Sequence, residues 1–192
     1  MTKAKICGNQ SVEDVNMASR ADAVGFIVAT PKSKREVSPE TAIELVDHVS
    51  PFTDTVMVTT ESRTAVLEEL ATLVKPDYLQ LHYGANRPHL EKLDGLLSDR
   101  IGLISVLSIG SNGINLIDRA RNLLESPIDA LLLDSRADGR SGGTGQVHDW
   151  DISRKIREAI SPFPVILAGG LTPNNVSKAI NKVRPYGVDV AP

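Results

Sequence analysis

Eight short aliphatic runs alternate along this chain with segments whose apolar residues have helical spacing. The runs predict β-strands at residues 4–7, 23–28, 55–59, 78–81, 102–107, 130–134, 165–168 and 187–190. Between them, apolar residues recur at i, i+3, i+4 and i+7, as over residues 42–49, which is typical of amphipathic helices. Strands that alternate with single helices pair in parallel through right-handed crossovers, so the sequence predicts an α/β fold.

The number of strands predicts a closed (β/α)8 TIM barrel, formed as one domain by residues 1–192. An open doubly wound sheet is the alternative, because it alternates strands and helices in the same way. The count of eight favours the barrel, as does the lack of a Gly-x-Gly-x-x-Gly turn after the first strand.

The sequence stops at Val190-Ala191-Pro192, at the end of the eighth predicted strand. The barrel is therefore expected to lack the eighth loop and helix and to be C-terminally short. An exposed apolar strand face tends to be covered, so a homodimer or another chain over this face is a further expectation.

Two dipeptides carry helix-start signals. Ser38-Pro39 and Thr172-Pro173 each place a hydroxyl that can cap a helix before a proline suited to the first turn. Helices are therefore expected to begin at these two points.

Composition narrows the class of protein. Of the 192 residues, 41% are hydrophobic and 23% charged, with a net charge of −3, which argues against a nucleic-acid binder. No apolar stretch approaches the ~18 residues of a membrane span. Cys7 is the single cysteine, and the four histidines show no metal-ligand spacing, so neither a disulfide nor a metal site is predicted. A cytoplasmic location is the expectation.

Cys7 and Asp134 end the first and sixth predicted strands, whose carboxyl ends open into the same funnel of a barrel. A thiol and a carboxyl on two sides of a bound sugar can act as a base and an acid. The thiol would need a lowered pKa, which nearby cations or a bound ligand could supply. Spacing alone favours a different role for Cys7, that of a small buried apolar residue, and Asp134 fits a cap or an ion-pair partner equally well.

Further polar and glycine residues follow the predicted strands. Gly142-Gly143-Thr144-Gly145 follows the sixth strand and can bring backbone N–H groups to an anion before a helix. Gly169-Gly170 follows the seventh, where barrels commonly bind phosphate. Tight turns are the alternative explanation for these glycines.

Two further side chains follow predicted strands. Arg35, after the second strand, could bind a carboxylate or phosphate, or it could belong to a solvated basic loop. His82 lies at the end of the fourth strand.

Taken together, the motifs of this chain resemble those of the phosphoribosylanthranilate isomerase family. They run in order along almost the whole chain: Lys5-Ile6-Cys7-Gly8, Ser33-Lys34-Arg35, Gln80-Leu81-His82, Leu132-Leu133-Asp134, Gly142-Gly143-Thr144-Gly145, His148-Asp149-Trp150, Leu167-Ala168-Gly169-Gly170-Leu171 and Gly187-Val188-Asp189-Val190. Each motif is weak alone, and the ordered set is specific.

The resemblance implies a (β/α)8 barrel that carries out an Amadori rearrangement of N-(5-phosphoribosyl)anthranilate in tryptophan biosynthesis, without cofactor or metal. It implies that Cys7 is the general base, Asp134 the general acid, and Arg35 the residue that binds the anthranilate carboxylate. His82 is expected to contact the substrate.

The resemblance also implies a site for the substrate phosphate. Backbone N–H groups of this site are expected to come from Gly143, Thr144, Gly145, Gly169 and Gly170. Family members usually continue past the eighth strand with a loop that helps to hold the phosphate. Two alternatives therefore stay open: another phosphosugar barrel, such as an epimerase or synthase, and a short, weakly active or inactive phosphosugar-binding barrel.

Overall fold

The computed structural model describes residues 1–98, 100–110, 115–137, 140–141 and 148–191. Nine strands occur among these residues. They are β1 (Lys3–Cys7), β2 (Ala23–Ile27), β3 (Asp54–Thr59), β4 (Tyr78–Leu81), β5 (Gly102–Ile109), β6 (Ala130–Ala137), β7 (Arg140–Ser141), β8 (Val165–Leu167) and β9 (Gly187–Val190). The two-residue strand β7 pairs antiparallel with the end of β6, and the other eight strands form the barrel.

The barrel closes on itself. Strands β1 to β6 lie side by side in chain order, β6 pairs with β8, β8 with β9, and β9 with β1. Every pairing between barrel strands is parallel, as single-helix crossovers require. The predicted (β/α)8 barrel is thus confirmed. The open doubly wound sheet is wrong, because each of the eight strands has a neighbour on both sides.

Seven helices connect the barrel strands in the described part of the chain. They are α1 (Val12–Ala18), α2 (Pro39–Asp47), α3 (Thr64–Val74), α4 (Arg87–Asp94), α5 (Leu116–Leu123), α6 (Trp150–Ala159) and α7 (Val176–Val183). None of these helices combines the length and the apolar character needed to cross a membrane. Strand β9 ends at Val190, two residues before the last residue of the sequence.

One of the two predicted helix starts is confirmed. Ser38-Pro39 caps and opens α2 as expected. The start predicted at Thr172-Pro173 is wrong, because α7 begins at Val176 with Asn175 at the N-cap position. The Asn175 side chain accepts a hydrogen bond from the Thr172 N–H (2.8 Å) and donates one to the Gly170 carbonyl (2.9 Å). These two bonds stabilise a turn over residues 170–175, and α7 therefore begins three residues later than predicted.

Side chains divide between the barrel interior and the layer beneath the helices. Alternation along each strand sends successive side chains to opposite faces. One cluster fills the interior: Cys7, Val56, Val58, Ile104, Val106, Ala130, Leu132 and Ala168. Two larger clusters pack the outer strand faces against the helices and include fully buried Phe26, Leu79 and Leu131. Asp134 follows Ala130 and Leu132 at alternate positions of β6, so it shares their inward direction.

The amino end of the barrel is tied by a repeated hydrogen bond. The aspartate just before each of β2, β4 and β6 accepts the backbone N–H of the second residue in the preceding strand. The bonds are Ala4 N to Asp22 Oδ2 (2.8 Å), Thr55 N to Asp77 Oδ2 (2.8 Å) and Leu103 N to Asp129 Oδ2 (2.7 Å). Polar side chains at this end therefore serve stability, which leaves the carboxyl end as the place for chemistry.

Candidate active site

The carboxyl mouth of the barrel brings together the two residues predicted as catalytic. Cys7 is the last residue of β1 and is only 6% exposed. Asp134 lies in β6, where it pairs in register with Ser108 of β5, and it is 7% exposed. Both side chains are therefore buried at the end of the barrel where barrel enzymes place their active sites.

Gly25 makes the room that the Cys7 side chain occupies. The two residues are register partners on β1 and β2. A methyl group at Gly25 would lie 2.9 Å from Cys7 Sγ and 3.1 Å from Lys5 Cε. The Gly25 carbonyl also accepts the N–H groups of Gly8 (2.9 Å) and Asn9 (3.1 Å), which fixes the turn that follows Cys7. The sequence analysis missed Gly25, because its importance depends on strand register.

Burial raises the pKa of the Cys7 thiol above its ordinary value. The nearby Lys5 ammonium acts in the opposite direction, and the Asp189 carboxylate adds to the increase. A cation that lowers the pKa of the Cys7 thiol, as catalysis by a thiolate would need, is thus present in Lys5. Its effect is smaller than that of desolvation, so the thiol of the unliganded protein is less acidic than a free cysteine.

His82 contacts Asp134 across the mouth. The distance from His82 Nε2 to Asp134 Oδ2 is 3.2 Å, and the two side chains are 17% and 9% exposed. The backbone N–H of His82 donates to the Thr59 carbonyl (2.8 Å), which holds the residue just past β4. The contact places a carboxyl group against an imidazole at the mouth, with both side chains largely shielded from water.

Arg35 reaches the mouth from the loop that follows β2. Gly8 has a φ of +83°, and a methyl group there would lie 2.6 Å from Arg35 Cδ. The arginine stem therefore passes directly over the turn after Cys7. Arg35 is half-buried, whereas Lys32 and Lys34 of the same loop are exposed. The solvated-loop interpretation thus fits the two lysines, and Arg35 is the cation placed at the site.

Gly169 and Gly170 follow β8 in the left-handed region, with φ values of +83° and +64°. A side chain at Gly169 would overlap Ser135 Oγ and the Ser135 backbone. Only glycine therefore allows this close approach of the loop after β8 to strand β6. The other residues predicted to bind phosphate, Gly143, Thr144 and Gly145, lie outside the described residues.

A half-buried histidine, His148, lies between two serines next to Asp134, and no role was predicted for it from the sequence. His148 Nδ1 lies 2.8 Å from Ser135 Oγ, and His148 Nε2 lies 2.5 Å from Ser153 Oγ. Burial lowers the pKa of His148, and the carboxylates of Asp134 and Asp149 oppose that change. The histidine joins β6 to α6 immediately beside Asp134.

Below Cys7, the barrel interior holds three buried polar residues, Lys5, Gln80 and Asp189, which belong to the sequence motifs but for which no role was predicted. Lys5 Nζ donates to Asp189 Oδ2 (2.9 Å) and to Gln80 Oε1 (3.0 Å). Strand alternation could have found them, because each is a polar residue at an inward position of an otherwise apolar strand. Within the described ranges, no group of three or more His, Cys, Asp or Glu side chains is placed to hold a metal ion.

A closed (β/α)8 barrel with buried polar residues at its carboxyl mouth defines a barrel enzyme. The family model described as N-(5'phosphoribosyl)anthranilate (PRA) isomerase matches residues 4–192. An N-(5'-phosphoribosyl)anthranilate isomerase of Methanosarcina mazei is 41% identical over 203 residues, covering 99% of this chain and 86% of the relative. The corresponding protein of Haloferax volcanii is also 41% identical, covering 100% and 83%. The chain belongs to the N-(5'-phosphoribosyl)anthranilate isomerase family.

Solved structures of phosphoribosyl anthranilate isomerases have the same fold as this chain. The phosphoribosyl anthranilate isomerase of Thermotoga maritima has a TM-score of 0.83 at 33% identity, covering 100% of this chain and 88% of that chain. A structure of the isomerase in complex with reduced 1-(o-carboxyphenylamino)-1-deoxyribulose 5-phosphate has a TM-score of 0.79 at 33% identity, with coverages of 100% and 87%. The predicted family is confirmed, and with it an isomerase of tryptophan biosynthesis.

Proposed function

We propose that this chain converts N-(5-phosphoribosyl)anthranilate into 1-(2-carboxyphenylamino)-1-deoxyribulose 5-phosphate, with Asp134 as general acid and Cys7 as general base. The observation that carries the assignment is the burial of both side chains at the carboxyl mouth, Asp134 against His82 and Cys7 beside Lys5. Family membership indicates which reaction to expect. In this proposal, a sugar bound at the carboxyl mouth lies between Asp134, the proton donor, and Cys7, the proton acceptor.

In the proposed reaction, Asp134 gives a proton to the ribose ring oxygen. The bond from that oxygen to C1 breaks as the nitrogen lone pair forms a Schiff base. The Cys7 thiolate then removes the proton from C2, and the electron pair of that bond produces an enolamine. Tautomerisation of the enolamine gives the aminoketone. No atom is gained or lost, so acid–base groups suffice for every step.

The two charged ends of the substrate fix its orientation in this proposal. Arg35 would bind the anthranilate carboxylate through paired hydrogen bonds, which fits its position over Gly8 beside the base. The phosphate would lie at the N–H groups of Gly169 and Gly170, joined by Gly143, Thr144 and Gly145 of the preceding loop. The left-handed conformation of Gly169 supports this placement, since it brings the loop after β8 against Ser135 of β6, the residue next to Asp134.

The activity can be tested with substrate made in situ. Anthranilate and phosphoribosyl pyrophosphate are combined with a transferase, and loss of anthranilate-type fluorescence is followed after the isomerase is added. We expect turnover by the wild type and a fall in kcat/KM of about 10²–10⁴ in both Cys7→Ser and Asp134→Asn. Asp47→Asn, the same chemical change at an exposed position of α2, is the matched control and should keep the wild-type rate.

Wild-type turnover in Asp134→Asn would contradict the assignment of the acid. A folded wild type that binds the aminoketone product but turns nothing over would instead support the alternative of an inactive phosphosugar-binding barrel.

A further inference from the structure

Lys5 is a buried cation whose partners lie inside the barrel. Its side chain is 5% exposed, and its ammonium donates to Asp189 and Gln80 at distances of 2.9 Å and 3.0 Å. An ammonium group has three N–H donors, so these two bonds leave a third. The proposed chemistry assigns no step to any of these three residues.

The remaining direction available to Lys5 leads to Cys7. The two residues are two positions apart on β1, so their side chains point to the same face. Cys7 Sγ and Lys5 Cε lie 2.9 Å and 3.1 Å from the same point above Gly25, which places the sulfur beside the end of the lysine chain. The charge of the Lys5 ammonium lowers the pKa of the thiol, in opposition to the larger effect of burial, and so favours the thiolate.

The ion pair is not needed to fill the barrel. The hydrophobic cluster of the barrel interior is apolar and includes Val56, Ile104 and Leu132. Burying two charges costs desolvation that their attraction roughly offsets, and well-packed apolar residues would stabilise such an interior equally well. A charge pair kept at this position, with its cation next to the single thiol, therefore points to a role in the chemistry of Cys7.

We propose that Lys5 is a positioning residue that stabilises the Cys7 thiolate, and that Asp189 and Gln80 hold its ammonium beside the sulfur. Lys5 touches no substrate atom in this scheme and acts only through Cys7. The inference rests on the proposed function for its catalytic consequence. Its effect on the thiol is a property of the unliganded protein and can be measured separately.

The test measures the pKa of Cys7 directly. Thiolate formation absorbs near 240 nm, and because Cys7 is the single cysteine, the difference from a Cys7→Ser blank belongs to this residue. The variant is the double replacement Lys5→Met with Asp189→Leu, which removes both charges and leaves neither buried ion unpaired. Ile104→Val, a neutral change in the same interior cluster, is the control.

We expect the pKa of Cys7 to rise by one unit or more in the double variant and to stay unchanged in Ile104→Val. The Lys5 effect is the larger of the two charge effects on the thiol, which sets this direction. One unit means tenfold less thiolate at pH 7.5, so kcat at that pH should fall about tenfold and recover as the pH is raised. A variant that merely packs badly would lose activity at every pH.

Two outcomes separate this inference from the proposed function. An unchanged pKa of Cys7 in a folded double variant would overturn the role of Lys5, whatever the activity. A raised pKa together with full activity in Cys7→Ser would uphold the effect on the thiol and would reject Cys7 as the base.

Discussion

His82 Nε2 and Asp134 Oδ2 lie 3.2 Å apart at the carboxyl mouth, joining the residue after β4 to the inward face of β6. The contact makes Asp134 a partner of His82 as well as a candidate catalyst, so a contact to a neighbouring side chain does not exclude a role in catalysis. In the proposed mechanism, an acid that gives a proton to a ring oxygen needs one fixed orientation, and the contact with the His82 imidazole would provide it.

Replacing His82 should therefore weaken catalysis without abolishing it. In His82→Gln we expect kcat to fall at least about tenfold, the equivalent of one charge-assisted hydrogen bond of ~1.5 kcal/mol lost beside the acid. His89→Gln, on α4 and bonded to Tyr83, is the matched control and should retain the wild-type rate. Steady-state kinetics at saturating substrate makes the comparison, and an unchanged kcat in His82→Gln would show that the contact is not needed to orient the acid.

Gly25→Ala should damage both stability and activity. The new methyl group would lie 2.9 Å from Cys7 Sγ and 3.1 Å from Lys5 Cε, which is too close for either to remain in place. Overpacking of this kind typically costs ~1–3 kcal/mol of unfolding free energy. In Gly95→Ala, at the end of α4, the nearest atoms would be 3.6 Å and 3.8 Å away, so this variant should unfold near the wild-type urea concentration. Equal unfolding midpoints for the two variants would contradict the packing described around Cys7.

Gly169→Ala should act mainly on substrate binding. Its φ of +83° disfavours any side chain, and the added methyl would overlap Ser135. The loop must shift, so we expect KM for the phosphosugar to rise more than kcat falls. Gly84→Ala, where a methyl group would meet no atom within 4 Å, is the control. An unaltered KM in a folded Gly169→Ala would remove this loop from the phosphate site.

Acid should destabilise the protein in part through His148. Burial lowers its pKa in the folded state below the usual value of about 6.5. Above pH about 6.5, the His148 ring is neutral in both the folded and the unfolded protein. As the pH falls below about 6.5 towards the lower pKa of the folded state, the unfolded chain binds the proton first, so the free energy of unfolding decreases. Between pH 7.5 and pH 5, the urea midpoint of the wild type should drop further than that of His148→Gln. Equal drops would mean that the ring does not titrate differently in the two states.

Strand alternation and strand ends were sufficient to predict the barrel and the positions of Cys7, Asp134 and His82. Those residues mark the ends of apolar runs, and the closed topology then brings the ends together. Two observed strands, β4 and β9, match the predicted ranges, and the other six differ by one to three residues; β6, for example, continues to Ala137 because it pairs with β5 and β7.

Register and side-chain bonding were not accessible from the pattern. Gly25 matters because it pairs with Cys7, and Lys5 because it meets Asp189 from the other end of the chain. The turn closed by Asn175 likewise overrode the helix signal at Thr172. The first two depend on contacts between distant segments, and the third on a side-chain hydrogen bond within a turn; helix propensity encodes neither.

The most direct test of the central claim uses substrate carrying deuterium at C2 of the ribose. If Cys7 removes that proton, Cys7→Ser slows the C2 step selectively, and its primary isotope effect on kcat should exceed that of the wild type. Asp134→Asn slows ring opening instead, so its isotope effect should shrink towards one. An enlarged effect in Asp134→Asn with none in Cys7→Ser would contradict the assigned acid and base.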